Sequence, residues 1–112
     1  MAKYAATIKG DFRRFQSYLE HEILSGSMSA SLEDKYETTL NGVRCCVQVY
    51  ERYSYMGGNR LSLNVTILEF DGTIHLVAVA SGGSQAVFFK INTFGEEAFL
   101  DKLKEAVEGF RS

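Results

Sequence analysis

Little in this sequence points to chemistry. It holds two cysteines and two histidines in 112 residues, carries a formal net charge of -2, and has no apolar run of the length needed to span a bilayer. Cys45 and Cys46 are adjacent. On a strand, neighbouring side chains point to opposite faces, so these two do not bond to each other, and there is no third thiol. No basic start followed by an apolar stretch is present, so no signal peptide is expected and a reduced, cytoplasmic setting is the economical reading. The scattered cysteines and histidines match no standard ligand spacing, so neither a metal nor a cofactor is expected. The slightly acidic balance weighs against nonspecific nucleic-acid binding, which runs on phosphate neutralisation by Lys and Arg. With no repeat, low-complexity tract or linker, residues 1–112 read as a single domain.

What is present is globular. A hydrophobic fraction of 46% with 23% charged residues is that of a folded chain, and 112 residues suffice for a core without metal or disulfide support. The stretch from Val43 to Ala80 organises the rest, alternating apolar and polar residues through successive runs.

In chain order, Ala2 to Lys9 reads as a strand with Tyr4, Ala6 and Ile8 on one side. Asp11 is placed to cap a helix in which Phe12, Phe15, Leu19 and Ile23 recur at helical spacing, ending at Gly26. Ser27 to Leu32 reads as a strand interrupted by Glu33-Asp34-Lys35 and resumed over Tyr36 to Leu40. Asn41-Gly42 is a hairpin turn. The next strand, Val43 to about Tyr55, is expected to turn Val43, Cys45, Val47 and Val49 inward, with Arg44, Cys46, Gln48, Tyr50 and Arg52 outward. An odd-length loop at Gly57-Gly58 would keep those valines on the side of Leu61, Leu63, Val65 and Ile67. A two-residue Asp71-Gly72 turn then pairs Leu68 with His75 and puts Ile74, Leu76, Ala78 and Ala80 on the core face. Gln85 to Ile91 reads as one more strand, with Phe88 outward and Phe89 inward. Thr93 and Glu96 have capping-box spacing ahead of a helix with Phe99, Leu100, Leu103, Ala106, Val107 and Phe110 on its apolar stripe.

The expected fold is therefore α+β: a two-layer sandwich in which a curved antiparallel sheet of about five to six strands carries both helices on one face. The element order resembles the TATA-binding-like and helix-grip folds, a likeness of order alone that implies no function. The segment from Gly82 to Glu97, with its Gly-Gly-Ser-Gln followed by an aromatic pair, resembles an uncharacterised family of small bacterial proteins. That resemblance implies no activity.

The candidates for chemistry are weak. Ser81-Gly82-Gly83-Ser84 would present N–H groups to an anion, but lacks the lysine and the following helix of phosphate loops, and reads better as a strand connection. His75 has no carboxylate beside it by register, and His21 sits among Glu20 and Glu22 as a solvated residue. Cys45 is expected in the core, with Cys46 outward beside Arg44 and no base to activate it. Glu51 and Glu69 fall by parity on the apolar face, where a pair of carboxylates would suggest a glycosidase-like or ligand-anchoring site. A ligand pocket under the C-terminal helix would be lined by Phe12, Phe15, Phe89, Phe99 and Phe110 with those glutamates. Rings that simply fill the core explain the same pattern.

The outer sheet face is the informative feature. Arg52, Arg60, Ser62 and Asn64 occupy one end, whereas Leu68, Phe70, Val77, Val79 and Phe88 gather at the other. A solvated face should be polar throughout, and such a patch marks an interface. The expected role is a non-catalytic homodimer joined through this face, with Tyr50, Tyr53, Tyr55, Arg52 and Arg60 as a more polar rim. The alternatives are a small-molecule-binding module and, ranked last, nucleic-acid binding by the Tyr- and Arg-bearing surface.

Overall fold

The structure, a computed structural model, describes residues 1–26, 29–53, 60–82 and 89–110, with side chains in the last segment from Glu97 onward. Seven elements follow one another: β1 (Ala2–Lys9), α1 (Phe12–Ser25), β2 (Ser31–Leu40), β3 (Val43–Tyr53), β4 (Arg60–Phe70), β5 (Thr73–Gly82) and α2 (Phe89–Gly109). The strands form one antiparallel sheet in the order β1-β5-β4-β3-β2, so β4 is its central strand. This is the α+β arrangement expected, with five strands among the described residues. Of the further strand expected over Gln85 to Ile91, residues 85–88 lie outside the described residues and 89–91 belong to α2.

α1 begins where Asp11, in extended conformation, accepts the Arg14 N–H on its carboxylate at 2.8 Å. Its 14 residues reach about 21 Å at 1.5 Å per residue. That roughly matches the width between the two edge strands, about 19 Å for four spacings of 4.8 Å. The helix can therefore carry the chain from β1, at one edge, to β2, at the other. α2 packs over β5, β1 and β4 and beside α1. Between the helices, the Tyr18 hydroxyl donates to the Ala106 carbonyl at 2.8 Å, and Phe110 meets Phe15 edge-on at 5.0 Å. α2 starts earlier than the capping-box spacing suggested, so Thr93 and Glu96 lie inside the helix rather than at its start.

One cluster joins the apolar stripes of both helices to the sheet. It contains Phe12, Phe15, Leu19 and Ile23 from α1, Phe99, Leu103 and Val107 from α2, and Leu61, Leu63, Val65, Ile67, Ile74, Leu76, Ala78 and Ala80 from β4 and β5. The two hairpin turns have the geometry their sequences demand. Asn41 and Asp71 both have φ 53°, and Gly42 and Gly72 both have φ 80°, the doubly left-handed backbone of a type I′ turn.

β3 differs from expectation. Cys46, Gln48 and Tyr50 are completely buried on the helix side, while Val43, Cys45, Val47 and Val49 lie half-buried on the other face. The ladder pairs Cys46 with Ile67, Gln48 with Val65 and Tyr50 with Leu63, even positions against odd ones. Tyr53 and Arg60 close that ladder, and the number of positions between them, six, is even. Parity then turns the whole strand over. The core gains the ring of Tyr50. Arg44 and Arg52 lie on the same side, their guanidinium carbons 5.7 Å from the Phe12 ring and 4.5 Å from the Phe99 ring. β2 is continuous rather than interrupted. A register shift between Leu32 and Asp34 marks a bulge at Glu33, so Leu32 faces the helices whereas Tyr36, Thr38 and Leu40 face away.

Candidate functional site: the outer face of the sheet

Because β4 and β5 turn their strongest apolar positions to the helices, the residues between them build the opposite face, and there the patterning is not that of a solvated surface. Across the sheet, Tyr36, Val47, Thr66, Val77 and Ala5 stand opposite one another in a single row. The next row runs Thr38, Cys45, Leu68, His75 and Thr7. Toward the Asn-Gly and Asp-Gly turns, Leu40 pairs with Val43, and Phe70 with Thr73. Exposure is high for residues of this kind: Leu40 72%, Tyr36 66%, Phe70 60%, and Leu68 and Val77 41% each.

Four of the five interface residues expected from the sequence fall on this face: Leu68, Phe70, Val77 and Val79. Phe88 lies outside the described residues. The turned-over β3 adds Val43, Cys45, Val47 and Val49, and β2 adds Tyr36 and Leu40, so the patch is wider than β4 and β5 alone supply. Nothing within β3 would have announced this, since valines outrank Cys46 and Gln48 in hydropathy. The deciding signal is the even number of positions between Tyr53 and Arg60, readable only once the strand ends are known.

The polar residues of this face gather at the opposite end and along the edges. Arg60 pairs with Glu51 and, at 3.8 Å, with Glu33, and its guanidinium lies 5.5 Å from the ring of the exposed Tyr53. Lys9 donates to the Thr73 hydroxyl at 2.8 Å, and the Thr7 hydroxyl is 3.1 Å from His75 Nδ1. Two rim residues expected here are elsewhere: Tyr50 is in the core and Arg52 is on the helix side. Tyr55 lies outside the described residues.

The helix side looks different. Phe12, Phe15 and Phe99 are buried in the core cluster, and Phe110 is half-buried against it. Phe89 is in α2, with its side chain outside the described residues. Glu51 and Glu69 are not brought together. Glu51 stands on the outer face opposite Ser62, while Glu69 lies on the helix side, opposite Arg44 at the other end of the ladder. Seven residues of strand separate their rows, about 23 Å at 3.3 Å per residue. Glu69 accepts the Gly72 N–H at 2.9 Å and sits 4.0 Å from Arg44, so it braces the turn.

Two open clefts flank α1. One of about 510 Å³ is lined by Ser17, Glu20, His21, Leu24, Ser25 and Lys35. Another of about 220 Å³ is lined by Phe12, Arg13, Glu37, Thr38, Thr39, Arg44 and Cys45. Beneath α1 the core turns polar. Gln16 Nε2 donates to Glu37 at 2.7 Å, and the Tyr50 hydroxyl donates to Gln48 Oε1 at 2.7 Å. Gln16 Oε1 is buried without a partner, and Gln48 Nε2 has none beyond a weak contact with the Cys46 thiol. Burial, reinforced by the charge of Glu37, pushes the Cys46 thiol up to about 11, and burial also raises the Tyr50 hydroxyl. A thiol held protonated in this way is a packing group rather than a nucleophile. The expected roles of the two cysteines are thus exchanged: Cys46 is core and Cys45 looks outward. Of the Ser81-Gly82-Gly83-Ser84 segment, Ser81 and Gly82 end β5, and the rest lies outside the described residues.

No helix among the described residues is long and apolar enough to cross a membrane. Among these residues, no cluster of His, Cys, Asp and Glu has a geometry that would hold a metal ion. The chain belongs to the DUF6054 family, a family of unknown function whose sequence profile matches residues 1–111. No curated protein sequence matches it.

Proposed function

We propose that this family member is a non-catalytic domain that works as a homodimer, its two copies stacked through the outer face of the sheet. The contiguous apolar band from Leu40 and Tyr36 across Val43 and Val47 to Leu68, Phe70 and Val77 is the observation that carries this reading. Burying one large apolar side chain contributes about 1.5–3 kcal/mol, so leaving several together in water is costly unless a partner covers them. The area is adequate. Five strands about 4.8 Å apart and about eight residues long present roughly 600 Å² per copy. A dimer would then bury about 1,200 Å², the lower end for specific interfaces.

A catalytic role fits the side-chain placement poorly. The two candidate carboxylates stand on opposite faces, the buried thiol is held protonated, and His75 meets a threonine rather than an orienting acid. Cys45 and Cys46 are free thiols, in keeping with a reducing, cytoplasmic setting.

Light scattering over a range of concentrations tests the proposal. The wild type should have twice the chain mass, and Phe70→Asp or Val77→Asp should give monomers with unchanged circular dichroism. A wild type that stays monomeric at the highest concentrations overturns it.

A further inference from the structure

We infer that the two-fold axis of this dimer runs along β4, parallel to the strands, so that the partner's Lys3 lies over Asp34 and the partner's Asp34 over Lys3. The inference rests on the dimer reading above and adds the arrangement of the copies, which apolar exposure alone leaves open.

Three observations select that axis. First, β4 is the central strand, with β5 and β1 on one side and β3 and β2 on the other. Among axes parallel to the strands, only one through β4 overlaps the whole of both faces, setting β5 over the partner's β3 and β1 over its β2. Second, the face is apolar at one end of its strands, around Leu68 and Phe70, and polar at the other, around Ser62 and Asn64. Rotation about an axis along the strands keeps each residue at its own level, so Phe70 and Leu68 meet their own copies at the axis and Val47 meets Val77, with the stem of Lys9 over Leu40 at the edge. Rotation about an axis across the strands would stack Phe70 on the polar end.

Third, the charges fit. One row reads Asp34, Val49, Asn64, Val79 and Lys3 from edge to edge. Reversing it over itself puts an acid on a base at both edges, valine on valine inside them, and Asn64 on its own copy at the axis. In the neighbouring row, Tyr36 falls over Ala5, a large side chain over a small one. The crosswise axis would instead lay the β1 edge with Lys3 and Lys9 on its own copy, which like-charge repulsion disfavours. Stacked sheets cross at about 30° and lie about 10 Å apart, displacing edge residues by only a few ångströms, within the reach of a lysine.

The test is a charge exchange read by sedimentation equilibrium at low salt. Lys3→Glu and Asp34→Lys should each raise the dimer dissociation constant about tenfold, since symmetry applies each change twice. The double variant should return to within about twofold of wild type, and the differences should shrink in high salt. A double variant as weak as the two losses multiplied, from a wild type that does dimerise, overturns this axis and leaves the dimer standing. A monomeric wild type removes both. As a check independent of charge, Asn64→Cys in a Cys45→Ser background should be joined to its own copy by a short bis-maleimide, whereas Thr38→Cys, remote from the axis, should not. The reverse pattern also overturns the axis.

Discussion

Gln48 and Tyr50 make the sharpest test of how this core is held. Both are fully buried on the helix side of β3, where the Tyr50 hydroxyl donates to Gln48 Oε1 at 2.7 Å while Gln48 Nε2 has at best the Cys46 sulfur, a weak acceptor. A hydrogen bond in water is exchanged for one in the core, so its net contribution is small, whereas a buried group left alone costs about 1–3 kcal/mol. Tyr50→Phe strands both ends of the amide and should therefore cost about 1–3 kcal/mol. Gln48→Leu leaves the phenol hydroxyl alone but removes an orphaned N–H and adds apolar contact, for a net loss of about 0–2 kcal/mol. Making both changes leaves no unpaired group, and stability should return to the wild-type value or rise slightly. The coupling between the two positions is then the sum of the two single losses, about 1–5 kcal/mol in favour of the double variant. Urea unfolding at one fixed protein concentration, with m unchanged across the set, measures it directly. Each kcal/mol corresponds to about 4 °C in Tm for a chain of this size. Losses that simply add would refute the reasoning, because the pair would then contribute more than the desolvation of its members.

Thiol labelling of the native protein, followed by mass spectrometry, should modify Cys45 and spare the buried Cys46 until denaturant is added. Labelling of Cys45 should slow as protein concentration rises if the outer face is covered in the dimer. High pH should destabilise the fold: below about pH 9 the Cys46 proton is held in both states, and between pH 9 and 11 the unfolded chain releases it first. Unfolding free energy should accordingly fall as pH rises through that window, and Cys46→Ala should flatten the fall, with the buried Tyr50 adding a loss of the same sign at higher pH. Asp11→Ala removes the carboxylate that caps α1 and should cost about 1 kcal/mol in thermal or urea unfolding, with Asp11→Asn recovering most of it.

The parts of this fold legible in the sequence are those where composition and period agree. β4 and β5 alternate without ambiguity, the Asp71-Gly72 and Asn41-Gly42 turns admit one geometry, and α1 declares its start through Asp11 and its face through Phe12, Phe15, Leu19 and Ile23. The outer patch was legible to the same extent, through Leu68, Phe70, Val77 and Val79. β3 was not, because both of its faces are apolar enough to be buried. Its orientation depends on a loop length that hydropathy does not encode. β2 hid a bulge at Glu33 that looks in sequence like a break between strands. In α2, helix formation runs through Thr93 and Glu96, so a local capping preference yields to the longer helix.

The pairing of β1 with β5 has a consequence for how the protein is made. Ala2 meets Ala80 and Lys9 meets Thr73, so β1, once made, has no neighbour until more than sixty further residues have followed. At about 5–20 residues per second this is a wait of roughly 4–15 seconds. During that time the β2–β3–β4 meander can assemble from near neighbours, while β1 stays unpaired and open to a chaperone or a wrong partner. Joining β1 to β5 is thus a late step, and a circular permutant that begins at α1, in which β1 follows α2, should shorten the wait.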